Sequence, residues 1–458
     1  MRKVTFGRFL AALSAAAVLA PQVQAETLTD ALVMAYRHSH LLEENRAVLR
    51  AADEGVAQSV SALRPVLNFV AQGKVQTPAT AATYYNNLYG TLALSASMTL
   101  YDFGRTRAGI NAAKETVLAT REALVGVEQQ VLLSAVSAYL GVLQNSQTVS
   151  LQQNNVNVLK QELKATQDKF DVGEVTKTDV AQAQAALAQA SAGLVAARGN
   201  YEVAREAFKA ATGSYPTKLS PPPTAPATAK NLAAAQAIAV REHPSVLQAQ
   251  HQVEAAKWNV ERAKDGTRPN LSATAEAGID NKSNSGNTLS VTLTQPIYAG
   301  GKISSAYRQA VANSDQAMAA LMQTTVGVQQ NVDNAWSQLS VARSSIVANR
   351  EQVRAAQVAF EGVREEAKLG SRTTLDVLTA EQTLLNAKVS LVNAETTQEQ
   401  AVYSLLASMG LLTADHLKLG VPSYDPAAYY NAVRHAPASG LSSQAKALDR
   451  IMKRIAGQ

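Results

Sequence analysis

Few side chains in this sequence are placed to do chemistry. Gly300-Gly301-Lys302 lies between a strand pattern and a helix pattern as a phosphate loop would. Pro296, however, occupies the place of the first glycine and Ile303 that of the hydroxyl residue, so a plain strand-to-helix turn is the simpler reading. His38, His40, His243 and His251 fall on two helix patterns near equivalent positions, with no cysteine in the chain and no carboxylates at ligand spacing, and read as surface or packing residues rather than a metal site. No nucleophile stands in a recognisable pattern with a base, so neither an enzyme nor a cofactor is expected. What remains is a turn that occurs twice. Phe170-Asp171-Val172-Gly173-Glu174-Val175-Thr176-Lys177-Thr178-Asp179-Val180 is echoed by Ala367-Lys368-Leu369-Gly370-Ser371-Arg372-Thr373-Thr374-Leu375-Asp376-Val377. Each has a glycine where a helix should stop, hydroxyl residues where the next should start, and an Asp-Val pair six residues after the glycine. Glycine takes the left-handed conformation cheaply and threonine caps a following helix, so each turn predicts the tip of a tight helical hairpin.

Long helices must carry those tips. Apolar positions at helical spacing run from about Thr27 to Ala62 and stop at Arg64-Pro65. From Thr91 the period changes to two, with Leu92, Leu94, Ala96, Met98 and Leu100 opposed to Thr91, Ser95, Ser97 and Thr99. Leu67, Phe69 and Ala71 suggest a partner strand before a polar loop at residues 77–89. Strands of roughly 10 residues are long enough to cross a bilayer when tilted. After Tyr101-Asp102-Phe103-Gly104 the helical period returns without proline to the first tip, about 68 residues and on the order of 100 Å. A shorter helix follows, from about Thr176 to Thr212.

The order then repeats. Residues 214–229 hold five prolines and form a stiff linker. Beyond it come a helix pattern from about Asn231 to Lys264, Arg268-Pro269 matching Arg64-Pro65 at an offset of 204, and two alternating strands with Leu271 to Ile279 and Leu289 to Ile297. From Tyr298 the offset is 197, pairing Gly104 with Gly301, Tyr139 with Trp336, Gly173 with Gly370 and Asp179 with Asp376. The seven-residue difference falls in the hairpins, where length change is tolerated. The two shorter helices of each repeat sum to about the length of the long one, so stacked end to end they would run antiparallel to it as a rod about 100 Å long.

Residues 1–25 read as a signal peptide, with Arg2, Lys3 and Arg8 before a short apolar run and Val23-Gln24-Ala25 at the cleavage site. Removing them takes the net charge from +6 to +3, too weak to point to nucleic acid. No run of 18 apolar residues follows, so a membrane would be crossed by strands. The division expected is 26–213 for the first repeat, 214–229 for the linker, 230–420 for the second repeat and 421–458 for a tail. Leu448, Ile451, Met452 and Ile455, with Lys446, Arg450, Lys453 and Arg454 around them, give that tail a short basic amphipathic helix, expected to pack on its own protein in preference to touching anionic lipid. Aromatics at 5% suit narrow helix interfaces. Four strands cannot close a barrel, and an open edge in lipid is forbidden. Three copies would supply twelve strands and a lumen, and the serines and threonines of the alternate face suit its wall.

The paired repeats, the Arg-Pro before each strand pair, Tyr-Asp-Phe-Gly-Arg after the first, Tyr-Ala-Gly-Gly after the second and Leu369-Gly370-Ser371-Arg372-Thr373-Thr374-Leu375-Asp376-Val377-Leu378 resemble the TolC-like outer-membrane factors over nearly the whole chain. That resemblance implies a mainly α fold with a small β-barrel part: a homotrimer with a twelve-stranded barrel among outer-membrane lipids, a periplasmic coiled-coil α-barrel and a mixed belt. It also implies tips that close the tunnel and dock a periplasmic adaptor, which links them to an inner-membrane RND or ABC transporter. Position by position, Asp179, Arg372, Asp376, Thr178 and Thr374 match the gate. Gly173, Val172, Gly370 and Leu369 match the turn and docking surface. In similar proteins the tip arginine bonds the neighbouring aspartate, which makes Arg372 to Asp179 the expected latch. Ala367 and Thr379 stand where the best-known member has a tyrosine and an aspartate ring. An exported trimeric coiled-coil fibre or adhesin is the other expectation, and it leaves the alternating hairpins unexplained.

Overall fold

The computed structural model describes residues 25–75, 88–223, 226, 228–281, 283–421, 424–433 and 450. The expected signal peptide other than Ala25, most of the loop at 77–89 and the tail helix around 448–455 other than Arg450 lie outside them. The described elements are α1 (Leu28–His38), α2 (His40–Ser61), β1 (Val66–Val75), β2 (Leu88–Tyr101), α3 (Arg105–Asp171), α4 (Lys177–Thr212), α5 (Leu232–Glu242), α6 (Pro244–Lys264), β3 (Asn270–Asp280), β4 (Ser285–Thr294), α7 (Lys302–Lys368), α8 (Thr374–Ser408) and α9 (Pro426–Val433). The two long helices have 67 residues each, as the uninterrupted periodicity predicts.

The strands form one antiparallel sheet in chain order, β1-β2-β3-β4. Its register pairs Phe69 with Leu94, Leu92 with Ile279, Ala273 with Val291 and Leu271 with Leu293. Directly paired residues share a face, so these apolar side chains make one continuous apolar surface. An irregularity between Thr99 and Tyr101 pairs Tyr101 with Leu271 and so turns its ring onto the same surface. Among the described residues β1 and β4 have no partner on their outer edges, and β4 is exposed along its whole length.

Near the sheet the helices lie in the order α2, α3, α6, α7, continuing the strand order, and toward the tips the order is α4, α3, α8, α7. The change of partners happens in a belt that holds the main core. Leu132, Val136 and Tyr139 of α3 meet Leu42 and Leu49 of α2, Phe208 of α4, Val332 of α7, and Leu405 and Leu406 of α8. The Tyr139 hydroxyl donates toward the Ser220 carbonyl at 2.6 Å and the Glu26 carbonyl at 3.1 Å, fastening the linker and the N-terminal segment to the core.

Two expectations are corrected here. The helix patterns at 27–62 and 231–264 are each broken in the belt, at Ser39 and at His243. The Ser39 hydroxyl caps the Leu42 amide at 3.2 Å, and the His243 ring accepts from the Ser245 amide at 3.2 Å with Pro244 opening α6. α4 and α8 end against these breaks at left-handed glycines, Gly213 and Gly410. A Cβ on Gly410 would lie 2.7 Å from the His243 Cα, and one on Gly213 would lie 2.6 Å from the His38 ring. The end-to-end partner of α4 is therefore α2 alone, with α1 packed separately on α3 and α4. The second correction concerns α3, one stretch of which, with mean hydropathy 1.3, is apolar enough by composition to cross a membrane. Counting uninterrupted apolar runs missed it because isolated polar residues punctuate an alanine- and valine-rich segment.

The tail's described part returns to the belt. Tyr429 donates to Glu54 at 2.9 Å, the Arg121 guanidinium lies over the Tyr430 ring, and Arg46 lies over Tyr36 and Tyr424 while pairing with Glu43.

Candidate functional site at the twin tips

Each long helix ends in a paired closure of its last carbonyls. Gly173 (φ +82°) and Gly370 (φ +79°) take the left-handed conformation with open space around a would-be Cβ. The amide of Glu174 reaches the Lys169 carbonyl at 2.9 Å, and that of Ser371 reaches the Glu366 carbonyl at 3.0 Å. This six-to-one bond reverses the chain within one turn. It leaves Val172 and Leu369 at the extreme end, 72% and 86% exposed, where an apolar side chain has nothing of its own chain to cover it.

The returning helices start with reciprocal caps. The Thr176 hydroxyl accepts from the Asp179 amide, and the Asp179 carboxylate accepts from the Thr176 amide at 2.8 Å and hydroxyl at 2.7 Å. Thr373 and Asp376 repeat the arrangement, both bonds to the carboxylate being 2.9 Å. The Thr176 hydroxyl and amide, as donors, hold the Asp179 carboxyl below its usual range, and those of Thr373 do the same for Asp376. Val180 and Val377, next in sequence, are buried behind the caps. Sequence reasoning gave the two aspartates to the gate and missed this local duty, although the Thr-x-x-Asp spacing is the signature of a capping box. Thr178 and Thr374, which were expected at the gate, follow the capping threonines and make no side-chain hydrogen bond among the described residues.

The expected Arg372 to Asp179 latch is not formed within the protomer. Arg372 Nε donates to Glu366 Oε2 at 2.8 Å, across its own turn, and that bond and charge push the arginine pKa further up. The two residues nonetheless line one groove of about 580 Å3 between the tips, with Lys169, Glu174, Leu369 and Thr374. Its walls are tied by links that the sequence does not display. Lys169 Nζ donates to the Ala367 carbonyl at 3.1 Å, so the residue at the tyrosine position contributes through its backbone. Arg364 and Glu162 pair at 3.2 Å. Deeper on α8, burial raises the pKa of Glu381, whose Oε2 has no hydrogen-bond partner among the described residues. Thr379 donates to its own helix at Leu375. Exposed ion pairs of this kind are worth about 0–1 kcal/mol each.

The remaining singled-out residues have structural duties. Gly300 and Gly301 form the left-handed turn that opens α7. His251 meets Glu115 at 2.8 Å between the repeats.

Comparison with known proteins agrees with this architecture. The family model described as outer membrane efflux protein matches residues 31–214 and 236–411. The outer membrane efflux protein BepC of Brucella suis is 38% identical over 89% of this chain and 91% of its own. The outer membrane protein TolC of Escherichia coli is 27% identical over 81% and 79%. The solved structure of the outer membrane protein VceC from Vibrio cholerae superposes with a TM-score of 0.72 at 21% identity, over 84% of this chain and 96% of that one. A fibre or adhesin finds no support among them. The chain belongs to the outer membrane efflux protein family, and it is an outer-membrane channel extending into the periplasm.

Proposed function

We propose that three copies close into a twelve-stranded pore continued by a helical tunnel, and that the twin tips gate its periplasmic mouth and dock an adaptor. The observation that carries this reading is the open four-stranded sheet, with two unpaired edges and a continuous apolar face. In lipid those edges need partners, and three sheets leave a lumen where two would fill with side chains. The flanks support it. α7 buries 8 residues against 17 on α3 of equal length, and exposes Val341, Val347 and Val358, while α4 exposes Val195 and Val203. Closed tips exchange the Arg372 contact with Glu366 for one with Asp179 of a neighbouring tip, a pair worth about 0–1 kcal/mol that a gate can release. The adaptor seats on Val172 and Leu369 around Gly173 and Gly370, and links the duct to an inner-membrane RND or ABC transporter. Cargo is a drug, another small molecule or a protein. The division into signal peptide 1–25, repeats 26–213 and 230–420, linker 214–229 and tail 421–458 belongs to the same proposal.

The chain has no native cysteine, so a single cysteine at Lys177 or Ser371 gives an unambiguous crosslinking site. Crosslinking to a co-expressed adaptor from these positions, and none from a cysteine on the belt at Ser214, is the expected result. Equal capture from Ser214 would contradict docking at the tips.

A further inference from the structure

The antiparallel topology brings all four helix-to-strand junctions to one end of the sheet: Arg64 before β1, Arg105 and Arg107 after β2, Arg262, Lys264 and Arg268 before β3, and Lys302 and Arg308 after β4. Residues 61–64, 101–108, 261–268 and 298–308 thus contribute eight cations and three acids, Asp102, Glu261 and Asp265, a net +5 against +6 for the whole 458-residue chain. The acids are already engaged. Asp102 is buried and accepts from the Thr106 amide at 2.7 Å, Asp265 is buried and pairs with Arg268 at 3.2 Å, and Glu261 pairs with Lys264 at 3.3 Å. Arg107, Arg262, Lys302 and Arg308 are exposed and have no acidic partner among the described residues.

This collar continues the apolar sheet face directly. The register change sets Tyr101 at the end of that face, 57% exposed, and Phe103 stacks edge-on against it at 4.7 Å. Phe103 does so from a left-handed backbone (φ +56°), which L-residues adopt only at a cost. Arg268 holds it there by donating to the Phe103 carbonyl at 3.1 Å. Tyr298 is 89% exposed at the equivalent junction after β4. Aromatic rings with a cationic band beside an apolar strand face match the headgroup level of a bilayer.

We propose that this collar is a binding surface for the anionic phospholipid headgroups of the leaflet facing the periplasm, with Arg107, Arg262, Lys302 and Arg308 supplying the charge and Tyr101 and Phe103 setting its depth. The inference rests on the reading of the four strands as a membrane wall. It is tested by titrating the full chain, in neutral detergent, with phosphatidylglycerol or phosphatidylcholine and counting bound lipids by native mass spectrometry. Wild type binds phosphatidylglycerol preferentially, and the preference falls about fivefold for each charge removed in the series R107Q, R262Q, K302Q and R308Q. The corresponding lysine and arginine exchanges keep it, and millimolar inorganic phosphate leaves it in place. Equal binding of the two lipids by wild type, an unchanged preference in the glutamine variants, or displacement by inorganic phosphate would overturn the proposal. Failure of the chain to enter bilayers at all would instead remove the membrane reading beneath it.

Discussion

Asp53 of α2 is fully buried, and neither carboxylate oxygen has a hydrogen-bond partner among the described residues. Burial raises its pKa from 3.8 to about 6, with the Arg121 charge opposing and the Glu54 charge adding to the rise. The native carboxyl therefore holds its proton where the unfolded chain has lost it. A group of this kind favours the folded state below the unfolded pKa, and its contribution is lost as pH rises from about 4 to 6. The shift corresponds to about 3 kcal/mol of destabilisation at neutral pH. Asp53→Asn keeps the shape of the protonated acid and never ionises. The variant is expected to unfold with about 3 kcal/mol more difficulty than wild type at pH 8, the advantage shrinking to near zero at pH 4, in paired denaturation series followed by circular dichroism. An advantage independent of pH would refute the reasoning, as would a variant less stable than wild type at pH 8.

Other expectations follow from the same contacts. Gly410→Ala puts a methyl into the Glu242 and His243 backbone and should cost well above the roughly 1–2 kcal/mol of left-handed strain expected for Gly370→Ala, whose surroundings are open; thermal melts of the two variants compare them directly. Tyr139→Phe removes the donor to the Ser220 carbonyl, the Glu26 carbonyl keeping the Ser220 amide, and should cost about 1–3 kcal/mol while making the linker cut faster in limited proteolysis. Thr373→Val removes one half of the α8 capping box and should cost about 0.5–2 kcal/mol, visible as faster amide hydrogen exchange confined to the first turn of α8.

Much of the fold was legible because its signals are local or periodic. The change from a period of 3.6 to 2 and back located strands and helices. The shift of offset from 204 to 197 assigned the length difference to the hairpins, and the glycines of the twin turns take the left-handed conformation their positions predict. The breaks in the helix patterns at 27–62 and 231–264 escaped notice because their apolar rhythm runs through them. Pro244, a good first helical residue, and the Ser39 hydroxyl were the available signs. At the tips, reading the aspartates by resemblance concealed the caps they form. The Glu366 partner of Arg372 was within reach of sequence reasoning, six residues back across a tight turn. The Lys169 bond to the Ala367 carbonyl was not, since a backbone acceptor 198 residues away leaves no trace in residue types. Asp53 shares the buried stripe of α2 with Leu42, Leu49 and Val56, so its burial was within reach of the periodicity, whereas the Arg121 charge facing it from α3 was not.

Single-channel recording of the purified protein in a planar bilayer tests the central claim most directly. Wild type should insert and conduct in small, infrequent steps, and the double variant Arg372→Ser with Asp179→Ala should conduct in larger and longer ones, because the tips no longer hold the mouth shut. Insertion without conductance in both proteins would contradict a tunnel gated at the twin turns.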